Sequence, residues 1–108
     1  MRIFLLEDHK YVAESLIRAM ELRGFEIDHY SSLAAADGVD FSIYRLAILD
    51  FNLPDGLGTS LLPTNIPTAV YSGLPQDVDV GGHDVVVFGK EDPVSLIDWV
   101  MNFAKGES

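Results

Sequence analysis

Five short apolar runs recur along the chain, at residues 3–6, 25–30, 46–49, 68–71 and 85–88. The first, third and fifth are nearly continuous in hydrophobic residues, the pattern of strands covered on both faces by helices. The second differs, because Phe25-Glu26-Ile27-Asp28 alternates and so suits an edge strand with one wet face. Between the first two runs, Val12, Leu16, Ala19, Met20 and Leu22 approximate a helical stripe, and Gly24 supplies its stop. Later, Asp92 is placed to cap a helix that begins at Pro93. Val94, Ile97, Val100, Met101 and Ala104 give that helix its spacing, and Trp99 falls off the stripe as a partly buried core-edge residue.

Strands alternating with helices predict an α/β fold, a doubly wound five-stranded parallel sheet in a single domain spanning residues 1–108. The third and fourth crossovers are short. Residues 51–67 include Pro54, Gly56, Gly58, Pro63 and Pro67, so only 57–62 can coil, for little more than one turn. Residues 73–83 carry Pro75, Gly81 and Gly82 without helical periodicity, which predicts a poor or absent fourth helix.

The ends of these runs carry the chemistry. The first stops on Glu7-Asp8, the third on Asp50, the fourth on Ser72-Gly73 and the fifth near Gly89-Lys90. Ligands of an open parallel sheet bind outside the carboxyl ends of its strands. Three acids, a hydroxyl and an amine are thus expected on one rim. Carboxylates held together and partly desolvated repel, and a hard divalent cation such as Mg²⁺, which favours oxygen ligands, relieves that repulsion. The pattern points toward phosphoryl chemistry.

Composition narrows the reading further. A formal charge of −10 argues against direct nucleic-acid binding, which needs clustered Lys and Arg. The absence of cysteine removes disulfides, thiolate metal sites and Cys nucleophiles. No apolar stretch approaches the roughly 20 residues of a membrane span, and Met1-Arg2-Ile3 enters a strand at once, so a cytoplasmic protein is expected. His9, His29 and His83 read as helix-start, loop or surface residues, and Asp55 and Gly56 as residues that shape a turn.

Glu7-Asp8-His9, the loop Leu49-Asp50-Phe51-Asn52-Leu53-Pro54, Ser72-Gly73 and Lys90 follow successive predicted strands in an order that resembles the receiver domain of two-component response regulators. The resemblance covers essentially the whole chain and implies a flavodoxin-like receiver fold. It implies that Asp50 accepts a phosphoryl group from a phosphohistidine on a sensor histidine kinase or phosphotransfer protein. Glu7, Asp8, Asp50 and the backbone carbonyl of Asn52 would hold Mg²⁺, while Ser72 and Lys90 would meet the phosphoryl oxygens. The result would be a change in binding to a downstream protein or fused output domain, a signalling role in which the domain assists its own phosphorylation and dephosphorylation. No output segment follows the last predicted helix, so the expectation is either a stand-alone receiver or a piece of a longer regulator or hybrid kinase.

The sequence also departs from that family. Its Lys is usually followed by Pro, often with a cis peptide, whereas Glu91 follows Lys90 here. The position expected to hold a switching aromatic is Val87, and the adjacent Phe88 would face the other side of the strand. These departures leave open a pseudo-receiver, an interaction module that works without phosphorylation. A haloacid-dehalogenase-like phosphatase with Asp50 as nucleophile is the third reading, against which Asn52 stands where the second acid of that motif belongs.

Overall fold

A computed structural model describes residues 1–106 of the chain. The strands are β1 (Arg2–Leu6), β2 (Glu26–Tyr30), β3 (Leu46–Asp50), β4 (Asn52–Leu53), β5 (Gly56–Leu57), β6 (Thr68–Ser72) and β7 (Val86–Gly89). The helices are α1 (Lys10–Glu21) and α2 (Pro93–Gly106). Five strands form an all-parallel sheet in the order β2-β1-β3-β6-β7, and β4 and β5 make a small antiparallel ribbon. The expected fold class is the one observed.

The central strands are β1, β3 and β6, and β3 and β6 are buried along their whole lengths. The alternating second run is an edge, as its pattern predicts. The fifth run is the other edge rather than a strand covered on both faces. Its continuous Val-Val-Val-Phe sequence is only partly buried, and the fourth run takes the central place instead.

One face of the sheet is covered by both helices. Ile3, Leu5, Leu46, Ile48, Ala69 and Tyr71 pack there against Ala13, Leu16 and Met20 of α1 and Leu96 and Val100 of α2. Leu22 falls beyond α1 and is 80% exposed, so it is not part of that stripe. On α2 the inward residues are Leu96 and Val100, flanked by Trp99, whose ring contacts Phe88 and Phe103 as a core-edge aromatic. Val94, expected on the stripe, is 65% exposed. Asp92 caps α2 as predicted, accepting the Ser95 amide at 3.2 Å and the Ser95 hydroxyl at 2.6 Å.

No α-helix lies in the connections that cover the opposite face. Phe4, Leu6, Ala47 and Leu49 are covered there by connecting segments carrying Ala36, Tyr44, Leu53 of β4 and, at the margins, Leu61 and Ile66. Phe4 anchors this layer with rings of Tyr30, Phe41 and Tyr44 around it, at centroid distances of 5.1, 4.9 and 5.5 Å. Large rings fill the space a helix would otherwise occupy. The segment Leu33-Ala34-Ala35-Ala36 has good helix formers, but Gly38 at φ +77° closes it after a turn, too short a stretch to sustain a helix. The third and fourth crossovers hold single 3₁₀ turns at Gly58–Leu61 and Pro75–Asp77, in keeping with their length and prolines.

Candidate functional site

The parallel register assembles the rim. Leu6 lies opposite Leu49, so the next residues, Glu7 and Asp50, emerge side by side where β1 and β3 end. Ser72 ends β6 opposite Gly89, and the Lys90 amide donates to the Ser72 carbonyl at 2.8 Å. Glu7, Asp50 and Ser72 are buried, at 1%, 4% and 2% exposure, while Asp8 is exposed. Glu7, Asp8 and Asp50 each offer a carboxylate oxygen within 4.8 Å of the others.

Lys90 reaches into this cluster. Its Nζ donates to Glu7 Oε1 at 2.9 Å and Oε2 at 3.1 Å, and stands 3.3 Å from Asp50 Oδ2. The Glu7 carboxylate also accepts the His9 amide at 3.0 Å. Burial, then the hydrogen bonds and negative charge of the neighbouring acids, push the Asp50 carboxyl up to about 8, with Lys90 opposing. Burial alone would lower the Lys90 pKa, but its bonds to Glu7 and Asp50 raise it above the ordinary value.

All five side chains expected on the rim are therefore at the same sheet edge. Ser72 Oγ accepts the Leu74 amide at 3.1 Å, a role that leaves its O–H as a donor. Asn52 opens the ribbon two residues beyond Asp50, with its side chain exposed and its backbone paired with Leu57. The missing proline does not displace Lys90. The Asp92 amide bonds the Gly89 carbonyl at 3.0 Å, and the Tyr71 hydroxyl donates to the Lys90 carbonyl at 3.3 Å. The cis peptide lies at Leu62–Pro63, not after Lys90. Phe88 packs with Trp99 on the helix-covered face, and Val87 lies in register with Val70 on the opposite one.

Three supporting residues escaped sequence reasoning. A Cβ on Gly58 would overlap the Asp50 carbonyl oxygen, so only glycine lets the Gly58 amide bond the Phe51 carbonyl at 2.8 Å. The Asp55-Gly56-Leu57-Gly58 spacing was its signal. Asp55 does more than shape its own turn, because its two oxygens accept the amides of Leu33 and Ala34 at 3.0 and 2.9 Å. His29, expected in a loop or at the surface, is exposed on β2 and also donates from Nε2 to the Glu7 carbonyl at 2.7 Å, since that oxygen can only accept. Nothing local in the sequence foretells either of these contacts, which join distant loops.

No protein-family model matches the chain. Among curated proteins it is similar to the cell cycle transcriptional regulator CtrA of Caulobacter vibrioides, with 30% identity covering 100% of this chain and 53% of that protein. It is also similar to the transcriptional regulatory protein TctD of Salmonella typhimurium, 40% identical over 53% of this chain and 27% of that one. The chain spans about half the length of the first of these relatives or less. Among solved structures, the receiver domain of the hybrid histidine kinase CckA superposes with a TM-score of 0.79 at 22% identity, covering 95% of this chain and 98% of that one. The response regulator TrrA from Thermotoga maritima, solved in complex with Mg²⁺-BeF, gives 0.74 at 22% identity over 94% and 97% of the two chains.

Proposed function

We propose that this chain, which shares the fold of receiver domains and is similar in sequence to response regulators, accepts a phosphoryl group on Asp50 and changes its partner binding in response. Residues 1–108 form one such domain. The reading is supported above all by the convergence of Glu7, Asp8 and Asp50 within 4.8 Å, with the Lys90 ammonium 3.3 Å from the Asp50 carboxylate.

A carboxylate oxygen of Asp50 forms the new P–O bond as the P–N bond of a donor phosphohistidine breaks. The departing imidazole nitrogen keeps the bonding pair and takes up a proton. The donor is a sensor histidine kinase or a phosphotransfer protein. Lys90 holds positive charge where phosphoryl oxygens arrive, and the Ser72 hydroxyl donates to one of them. Gly58 and the β4–β5 ribbon fix the backbone that follows Asp50.

The donor set fits Mg²⁺. Three carboxylates against one ammonium leave two negative charges when all are ionised, and the donors are hard oxygens. Glu7, Asp8, Asp50 and the Asn52 backbone carbonyl would hold it. When bound, Mg²⁺ supplies charge neutralisation at the phosphoryl oxygens. The role is signalling rather than metabolic turnover, with a downstream protein or a fused output domain as the receiver of the signal. Among the described residues no helix is long and apolar enough to cross a membrane, and a cytoplasmic setting accords with a kinase partner.

A second reading, the interaction module that works without phosphorylation, is favoured by Val87 at the expected aromatic position and by the helix-free face. Incubation with Mg²⁺ and phosphoramidate, followed by intact mass measurement, separates the two. A phosphate-sized gain that vanishes in Asp50→Asn supports the phosphoacceptor. No gain favours the module, and steady turnover of a free phosphomonoester would instead favour the dehalogenase-like phosphatase.

A further inference from the structure

The two edges of the sheet are defended differently. β2 carries Glu26 and Asp28, both tied to Arg2 in ion pairs of 2.7 and 3.0 Å. Charges of that kind discourage an open edge from pairing with another strand. β7 reads Val86-Val87-Phe88-Gly89, with neither charge nor proline. Lys90 turns its amide inward to Ser72, and amide direction alternates along a strand, so Gly89 and Val87 present theirs outward. Val86 is 40% exposed, beside a depression of about 270 Å³ lined by Pro67, Asp84, Val85, Trp99 and Phe103 among others.

Exposed acids predominate in the segments flanking this edge, and beside the depression the Arg45 guanidinium stands 5.3 Å from the Phe103 ring. Asp77, Asp79, Asp84, Glu91, Asp92 and Asp98 are all exposed. The single Lys or Arg from Leu74 to Asp98 is Lys90, and Glu7 and Asp50 hold it. An uncharged, outward-facing strand framed by acids fits an extended chain that brings its own amides and positive side chains.

We propose that the β7 edge docks an extended lysine- or arginine-rich segment of a partner protein, which adds to the sheet as a further strand. Main-chain hydrogen bonds at Val87 and Gly89 hold it, and its basic side chains face the acids around the edge. A second copy of this chain is the poorer occupant, because it would bring the same acidic surface, at a net charge of −10, against itself. The proposal goes beyond the phosphoacceptor reading and does not rest on it.

The probe is a short peptide of alternating lysine and valine, capped at both ends, titrated into the full chain by NMR without Mg²⁺ or phosphoryl donor. Binding should slow amide exchange at Val87 and Gly89, weaken as salt rises, and be absent for the glutamate–valine counterpart. Val87→Pro removes an outward N–H and leaves the inward ladder to β6 intact, a placement proline tolerates on an edge. It should weaken binding about tenfold. Should that variant misfold, exchange at the Val87 amide of the unaltered chain decides the matter. The proposal is overturned if the peptide fails to bind, or if binding leaves the Val87 and Gly89 amides unchanged. Equal binding by a folded Val87→Pro variant, or self-association through β7 in place of peptide binding, also overturns it.

Discussion

Replacing Asp50 by Asn should stabilise the metal-free protein, and by an amount that depends on pH. Asp50 is 4% exposed, and burial with the neighbouring acids pushes its carboxyl up to about 8, whereas its ordinary value is 3.8. Between those limits the folded protein keeps a proton that the unfolded chain has lost. The native state therefore binds more protons, and this group's contribution to stability falls as pH rises through the window. Asn has nearly the same shape and cannot ionise. At pH 7 about three units of the window have been crossed, at roughly 1.4 kcal/mol each, so Asp50→Asn should gain about 4 kcal/mol. The gap should close as pH falls toward 4, where Asp50 is protonated in both states. Urea unfolding of both proteins in chelator across this range measures it. Added Mg²⁺ should narrow the gap at neutral pH by stabilising the parent protein more than the variant. A stability difference that is the same at pH 4 and pH 8, or an Asn variant less stable at pH 8, would refute the electrostatic account.

Gly58→Ala forces a Cβ into the Asp50 carbonyl, so urea unfolding should show a loss of about 3 kcal/mol and phosphoramidate labelling should fall with it. Tyr44→Phe removes the 2.7 Å bond from the buried Tyr44 hydroxyl to Asp28 and should lower stability by about 1 kcal/mol in the same assay. Asp55→Asn weakens acceptance of the Leu33 and Ala34 amides, whose exchange should quicken. These amides hold the Asp55 carboxyl below the ordinary carboxylate value. Its stabilisation is thus present at neutral pH and lost as pH falls through the lowered folded value, an acid dependence the variant should lose in part.

The sheet was legible because its strands announce themselves by apolar runs bounded by Gly, Pro and acids. Strand order was less legible. The runs 68–71 and 85–88 are both apolar, yet Thr68–Ser72 is central and Val86–Gly89 an edge, since periodicity reports burial on a face and not the number of neighbours. Leu96 and Val94 exchange roles for a related reason. The spacing of α2 admits more than one stripe, and packing against Ile48, Tyr71 and their neighbours selects the one through Leu96 and Val100. Glu7, Asp8, Asp50, Ser72 and Lys90 could be read because each ends a strand or follows one within two residues. Asp55 and His29 could not, because their partners stand 21 and 22 residues away or about as far, across loops that no local pattern places.

The short crossovers trim the cover of the sheet while leaving its rim alone. Positions on the rim depend on strand register, and the ladders linking β1, β3, β6 and β7 are continuous up to the residues that carry the chemistry. The cover need only keep Phe4, Leu6, Ala47 and Leu49 dry, a task that rings of Tyr30, Phe41 and Tyr44 share with the connecting segments. A helix is one way to do this, and not the only one. Lys90 can therefore stand 2.9 Å from Glu7, across 83 residues of sequence, although among the described residues no helix covers the far face. What such trimming does change is the surface beside β7, where a single 3₁₀ turn occupies the connection and an uncharged strand edge is left open to a partner.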